Sequence, residues 1–208
     1  MNGPLNYITG GYEYSDVKIL TKRGWTYGAP DLPVISMHNC MVVRSSTKIF
    51  LIGGRQDESF AKKDTYYFDT TNPHWYSGPA LKVGREDHSC ARIRTNSSSN
   101  QYSVIVVGGS DYGKLASVEI LDEGTREWRN GPDLPYGITK AALVEDPTGG
   151  VILVGGTSDD AKYLQTLFRL SDAGDDAKWI EMPQILKLGR YGHNAFLVPD
   201  DVATCSIQ

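Results

Sequence analysis

The chain has 208 residues, 40% of them hydrophobic and 22% charged, with 21 basic against 25 acidic side chains and a formal net charge of −4. A chain of that size and make-up can bury a sizeable core without a metal or disulfide staple. No Lys/Arg-rich block interrupts it, so a nucleic-acid partner is not expected. The longest apolar runs, at 104–107 and 151–154, are far too short to span a bilayer, so no membrane role is expected.

The first residues, Met1-Asn2-Gly3-Pro4-Leu5, show neither a charged nor an apolar leader segment. The cytoplasm is therefore the default location, with secretion as the alternative if a leader lies upstream. Three cysteines do not describe a disulfide framework.

Taken in chain order, short β-like runs at 7–9, 49–52, 104–107 and 151–154 each end in a glycine doublet: Gly10-Gly11, Gly53-Gly54, Gly108-Gly109 and Gly155-Gly156. A second run follows each doublet, at 17–20, 66–69, 118–122 and 166–170, and leads to a tryptophan. Trp25, Trp75, Trp128 and Trp179 are 50, 53 and 51 residues apart. Gly/Pro turns come next, and then a segment Arg-x-x-His, complete at Arg85/His88 and Arg190/His193. By the 50-residue spacing His38 takes the place of His88 in the first unit, while Gly137 and Lys140 fill those places in the third.

Each unit thus reads as four short strands, a to d: strand a after Arg-x-x-His, b ending in Gly-Gly, c, and d at the tryptophan. No stretch carries a useful 3.6-residue period, so helices should be scarce. Four strands per unit, near fifty residues per repeat, resemble the kelch-repeat β-propeller family over residues 7–198.

The resemblance implies an all-β propeller of about four four-stranded blades, a closed four-bladed ring or part of a larger one. The blades fall at 35–80, 85–133 and 137–183, with 7–30 completed by 190–198. In that scheme residues 193–198 form an a-strand that closes the first blade. A single such sheet exposes both faces and is marginal alone; radial stacking buries them.

The resemblance also implies that the b–c and d–a loops share one face and receive a protein partner. Loops on a rigid scaffold commonly carry binding residues. The candidates are Arg55, Asp57, Lys63, Tyr112, Lys114, Asp160 and Lys162 from the b–c loops, with Arg85, Arg190 and Tyr191 from the d–a turns. Family resemblance implies roles such as substrate adaptor or actin binder. The alternatives are an enzyme or glycan-binding propeller using the central pocket, in which His88 or His193 would matter, and a secreted adhesive protein.

No catalytic motif stands out and no cofactor is expected. The pairs His38/Cys40 and His88/Cys90 have ligand-like i, i+2 spacing, yet positional recurrence accounts for them without a metal. Cys40 and Cys90 are expected as buried, unbridged blade residues. Cys205 in the tail is free to pair with another chain.

Overall fold

The computed structural model describes residues 6–11, 14–27, 30–57 and 60–198; Cys205 lies outside them. Fifteen strands and no helix occur among these residues. They are β1 (Asn6–Gly11), β2 (Tyr14–Thr21), β3 (Gly24–Tyr27), β4 (Cys40–Ser45), β5 (Lys48–Ile52), β6 (Thr65–Asp69), β7 (His74–Ser77) and β8 (Ser89–Arg94), then β9 (Tyr102–Val107), β10 (Val118–Leu121), β11 (Arg129–Asn130), β12 (Ala142–Glu145), β13 (Val151–Val154), β14 (Thr166–Leu170) and β15 (Ile180–Ile185).

They form four antiparallel meanders: a three-stranded sheet β1-β2-β3 and the four-stranded sheets β4–β7, β8–β11 and β12–β15. The fold is an all-β propeller arc. Each sheet pairs strands in sequence order, so every blade is assembled from local hairpins.

The middle strands are apolar on both faces because both faces are covered. Val104 and Val106 of β9 pack with Phe50 and Ile52 of β5, while Ile105 and Val107 pack with Leu153 and Phe168 of the next blade. Val104, Ile105 and Val106 are fully buried. Burying one such side chain contributes roughly 1.5–3 kcal/mol.

The tryptophans mark these junctions. The indole N–H of Trp75 donates to the Pro30 carbonyl at 3.0 Å, Trp128 to Pro79 at 2.8 Å and Trp179 to Pro132 at 2.9 Å. Each bond runs to the proline that ends the preceding blade. A large apolar ring with one polar handle suits such a seam.

One expectation about closure is corrected. Residues 193–198 form no strand, and the sheet of β1 to β3 has three strands. Phe196 is 82% exposed in that segment, so it does not complete the first blade.

The expected independence of the cysteines is also corrected. Cys40 and Cys90 form a disulfide, with Cα atoms 6.0 Å apart, between the inner strands β4 and β8. The 50-residue spacing suggests repeat-equivalent positions, which sit too far apart. The bridges Met37↔Arg55, Glu86↔Ser110 and Thr139↔Thr157 show the true register: Cys40 corresponds to Ser89, not to Cys90. That offset of one residue lets the sulfurs meet.

Candidate functional site

The same bridges tie each d–a link to the b–c loop of its own blade, which gathers both loop sets on one face. At the mouth where the inner strands begin, His38, Asp87 and Lys140 have left-handed backbones, with φ of 57°, 52° and 57°, and Gly192 has 62°. These are equivalent positions in successive repeats. His38 therefore matches Asp87 rather than His88, a correction to the sequence register.

The four positions are joined in series. The Asp87 N–H donates to the His38 carbonyl at 2.9 Å, Lys140 to Asp87 at 2.8 Å and Gly192 to Lys140 at 2.8 Å. This open series of backbone bonds lines the mouth and fixes where the side chains stand. Non-glycine residues in this region of φ/ψ space cost energy and concentrate at functional sites.

The collar side chains interact as well. His38 Nδ1 lies 2.8 Å from Asp87 Oδ1, and Lys140 Nζ is 3.5 Å from Asp87 Oδ2. Arg55 reaches across from the previous blade to Glu86 at 3.1 Å. His38, Glu86 and Asp87 bring ligand-type atoms within 4.8 Å of one another. Both carboxylates already have cationic side chains as partners, so the cluster reads as an ion-pair network.

A cavity of about 360 Å³ lies over the collar, lined by His38, Asp87, His88, Lys140 and Tyr191 among others. A neighbouring cavity of about 540 Å³ takes in Tyr112, Lys114, Asp159 and Lys162. The structure brings Tyr112, Lys114, Lys162 and Tyr191 of the candidate set together around it. Tyr112 is 86% exposed, has a left-handed φ of 59°, and rests against Phe60 with ring centroids 5.0 Å apart. Lys114 crosses to the next blade, donating to the Ser158 carbonyl at 2.5 Å and pairing with Asp159 at 3.1 Å. Tyr191 stacks on Tyr163 at 5.5 Å, and Lys162 lies over the Tyr163 ring.

Asp57, Lys63, Asp160 and Arg190 are exposed on loops but do not line that cavity. Phe60, which props Tyr112, escaped the sequence reading because a lone aromatic in a loop carries no periodic signal.

Arg85 is different from the other candidates. It is fully buried, and its guanidinium donates to the Gly108 and Ser117 carbonyls and to Glu119 at 2.8, 2.9 and 2.8 Å. It holds a blade together and is not offered to a partner. The sequence could not separate it from Arg190, its repeat equivalent, because only the packing differs.

His88 is buried beside it. Burial, and secondarily the Arg85 charge, push its pKa down to about 3. The ring packs against Gly53, whose backbone leaves room for it. His193 repeats that arrangement at Gly155, and burial also lowers its pKa. His88 therefore serves as a neutral spacer against Gly53.

Comparison with known proteins agrees with this architecture. The Kelch motif family matches residues 91–135, the third blade and the turn after it. Kelch-like protein 25 of Homo sapiens is 27% identical over 121 residues, covering 53% of this chain and 19% of the relative. An F-box/kelch-repeat protein of Arabidopsis thaliana is 32% identical over 92 residues, 43% of this chain and 21% of that protein. The chain thus carries a Kelch motif at residues 91–135.

Its fold is shared with the solved structure of YjhT, at a TM-score of 0.72 and 16% identity, with 92% of this chain and 66% of that one aligned. The chain spans about a fifth of the length of the curated relatives it matches.

Proposed function

We propose that this kelch chain is a non-catalytic protein-interaction scaffold whose collar-and-loop face receives a protein partner. The observation that carries this reading is Tyr112: a strained, 86% exposed ring held upright by Phe60 beside the collar cavity. Tyrosine is enriched among the residues that dominate binding energies. Lys162, Tyr191 and Lys140 surround the same cavity and supply charged and aromatic contacts. Kelch-like relatives support an interaction role at family level, and an adaptor or actin-binding task belongs to that same class.

The test is affinity capture from the source tissue, comparing the wild-type chain with Tyr112→Ala/Lys162→Ala. Both side chains are exposed, so the variant should retain its unfolding midpoint. Specific proteins retained by the wild type and lost by the variant support the reading. Identical retained sets sink it.

A second reading concerns the compartment. Beside the cytoplasmic default stands a secreted one, which the Cys40–Cys90 disulfide supports because such bonds persist mainly in oxidising surroundings. Asn96, in an Asn-Ser-Ser sequon, is exposed on the turn between β8 and β9. Together they favour a secreted or lumenal kelch protein. A glycan on Asn96, read by mass spectrometry of the protein from its source, supports this; a reduced Cys40 in the native protein counts against it.

A further inference from the structure

A cavity of about 1000 Å³ lies away from the collar. It opens between the blades β4–β7 and β8–β11 toward the opposite face. The β4–β5 and β8–β9 turns and the turn after β10 border it, through Ser45, Gln101 and Thr125 among others. Its floor is aromatic: Phe50, 3% exposed, is stacked on Tyr67 at 5.7 Å.

Cations dominate its walls. Arg44, Lys48, Arg92 and Arg126 line it against one acid, Glu123, in a chain whose net charge is −4. Three of them sit over aromatic rings: Arg44 over Phe50 at 5.2 Å, Lys48 over Tyr67 at 5.3 Å and Arg92 over Tyr102 at 5.2 Å. Such stacking restrains long side chains that otherwise lose rotamer freedom on binding.

Arg92 is already satisfied by a two-pronged contact with Glu145, at 3.2 and 3.0 Å. Arg44 is not. Its guanidinium donates to the Asp122 carbonyl at 3.1 Å, and no carboxylate among the described residues lies at ion-pair distance. A guanidinium has five N–H donors. Arg44 therefore keeps donors and charge to offer in a partly desolvated cleft, where ionic hydrogen bonds gain strength.

We propose that this cleft is a second binding site, specific for a carboxylate-bearing stretch of polypeptide. Its cations are spread over two blades, on β4, β5, β8 and the turn after β10, so they match charges repeated along a chain. A single phosphate needs donors converging on one point, commonly at a helix N-terminus, and no helix occurs among the described residues. The planar fork of arginine fits a carboxylate, as Arg92 with Glu145 already demonstrates in this chain.

The probe is a fluorescein-labelled hexaglutamate peptide, with hexaglutamine as control, titrated by fluorescence anisotropy. We expect the glutamine peptide to bind at least about tenfold more weakly. Lys48→Glu/Arg126→Glu, both at exposed positions, should weaken hexaglutamate binding by about tenfold or more. If that pair lowers the unfolding midpoint, Lys48→Gln/Arg126→Gln takes its place with the same expected direction. Tyr112→Ala/Lys162→Ala should leave the affinity within about twofold, separating this cleft from the collar face.

Inorganic phosphate should displace the peptide no better than chloride at equal ionic strength. Absence of hexaglutamate binding overturns the proposal. So does binding indifferent to residues 48 and 126, or selective displacement by phosphate.

Discussion

Arg85 and Glu119 meet at 2.8 Å with side-chain exposures of 0% and 2%, and the Glu119 carboxylate also accepts the Lys82 and Val83 backbone N–H groups at 2.7 and 3.1 Å. One buried carboxylate thus fastens strand β10 to the link entering its own blade. Removing one partner of such a pair leaves a buried charge uncompensated, at a cost of about 3–5 kcal/mol. Arg85→Met and Glu119→Leu should each lower stability by that order in urea unfolding. The double variant should lose less than the sum. Additive losses would mean that the two side chains are not coupled.

His88 sets an acid limit. Its pKa is about 3 in the folded chain, far below the ordinary histidine value near 6.5. Between those values the unfolded chain binds the extra proton, so stability is full above about pH 6.5 and falls as the pH drops toward 3. The expected slope from this group is about 1.4 kcal/mol per pH unit in that window. Urea midpoints at pH 7 and pH 5 check it, with His88→Gln flattening the difference.

The Cys40–Cys90 bond closes a loop of 50 residues. Chain-entropy arguments give a stabilisation of about 4 kcal/mol for a loop that long. Reduction, or Cys40→Ser/Cys90→Ser, should lower the unfolding midpoint accordingly while near-ultraviolet signals of the tryptophans persist at low denaturant. An unchanged midpoint on reduction would show that the thiols are not bridged in solution.

Gly109 marks where the blades leave no room. It has φ +92°, and a Cβ there would stand 2.7 Å from the Glu86 carbonyl and from the His88 Cβ. Gly109→Ala should therefore destabilise by about 1–3 kcal/mol. Gly113→Ala is the control: a Cβ there meets nothing within 4 Å. Equal midpoints for the two variants would contradict the close approach.

Strands b and c were legible because an apolar run followed by Gly-Gly is a local pattern, and β13 and β14 fall on the expected 151–154 and 166–170. The Trp-Pro seams were half legible, as a period without a partner. The inner strands were misregistered. From Trp25 to Cys40 the chain runs 15 residues, but from Trp75 to Ser89 and Trp128 to Ala142 it runs 14. One added residue in the first link makes His38 look like His88 and hides the disulfide. Hydrogen-bond register, which decides the matter, leaves no trace in spacing alone. At the candidate site the sequence located the loops but could not tell a buried Arg85 from an exposed Arg190, since burial depends on the neighbouring strand.

The collar separates two jobs that most binding sites entangle. Its three bonds use only main-chain atoms of His38, Asp87, Lys140 and Gly192, so no side chain is needed to make them. A cation, an acid, an imidazole and a bare backbone already occupy the four equivalent places. The mouth therefore presents a varied row of charges on a uniform main-chain frame, so chemical identity and backbone geometry are set by separate atoms there.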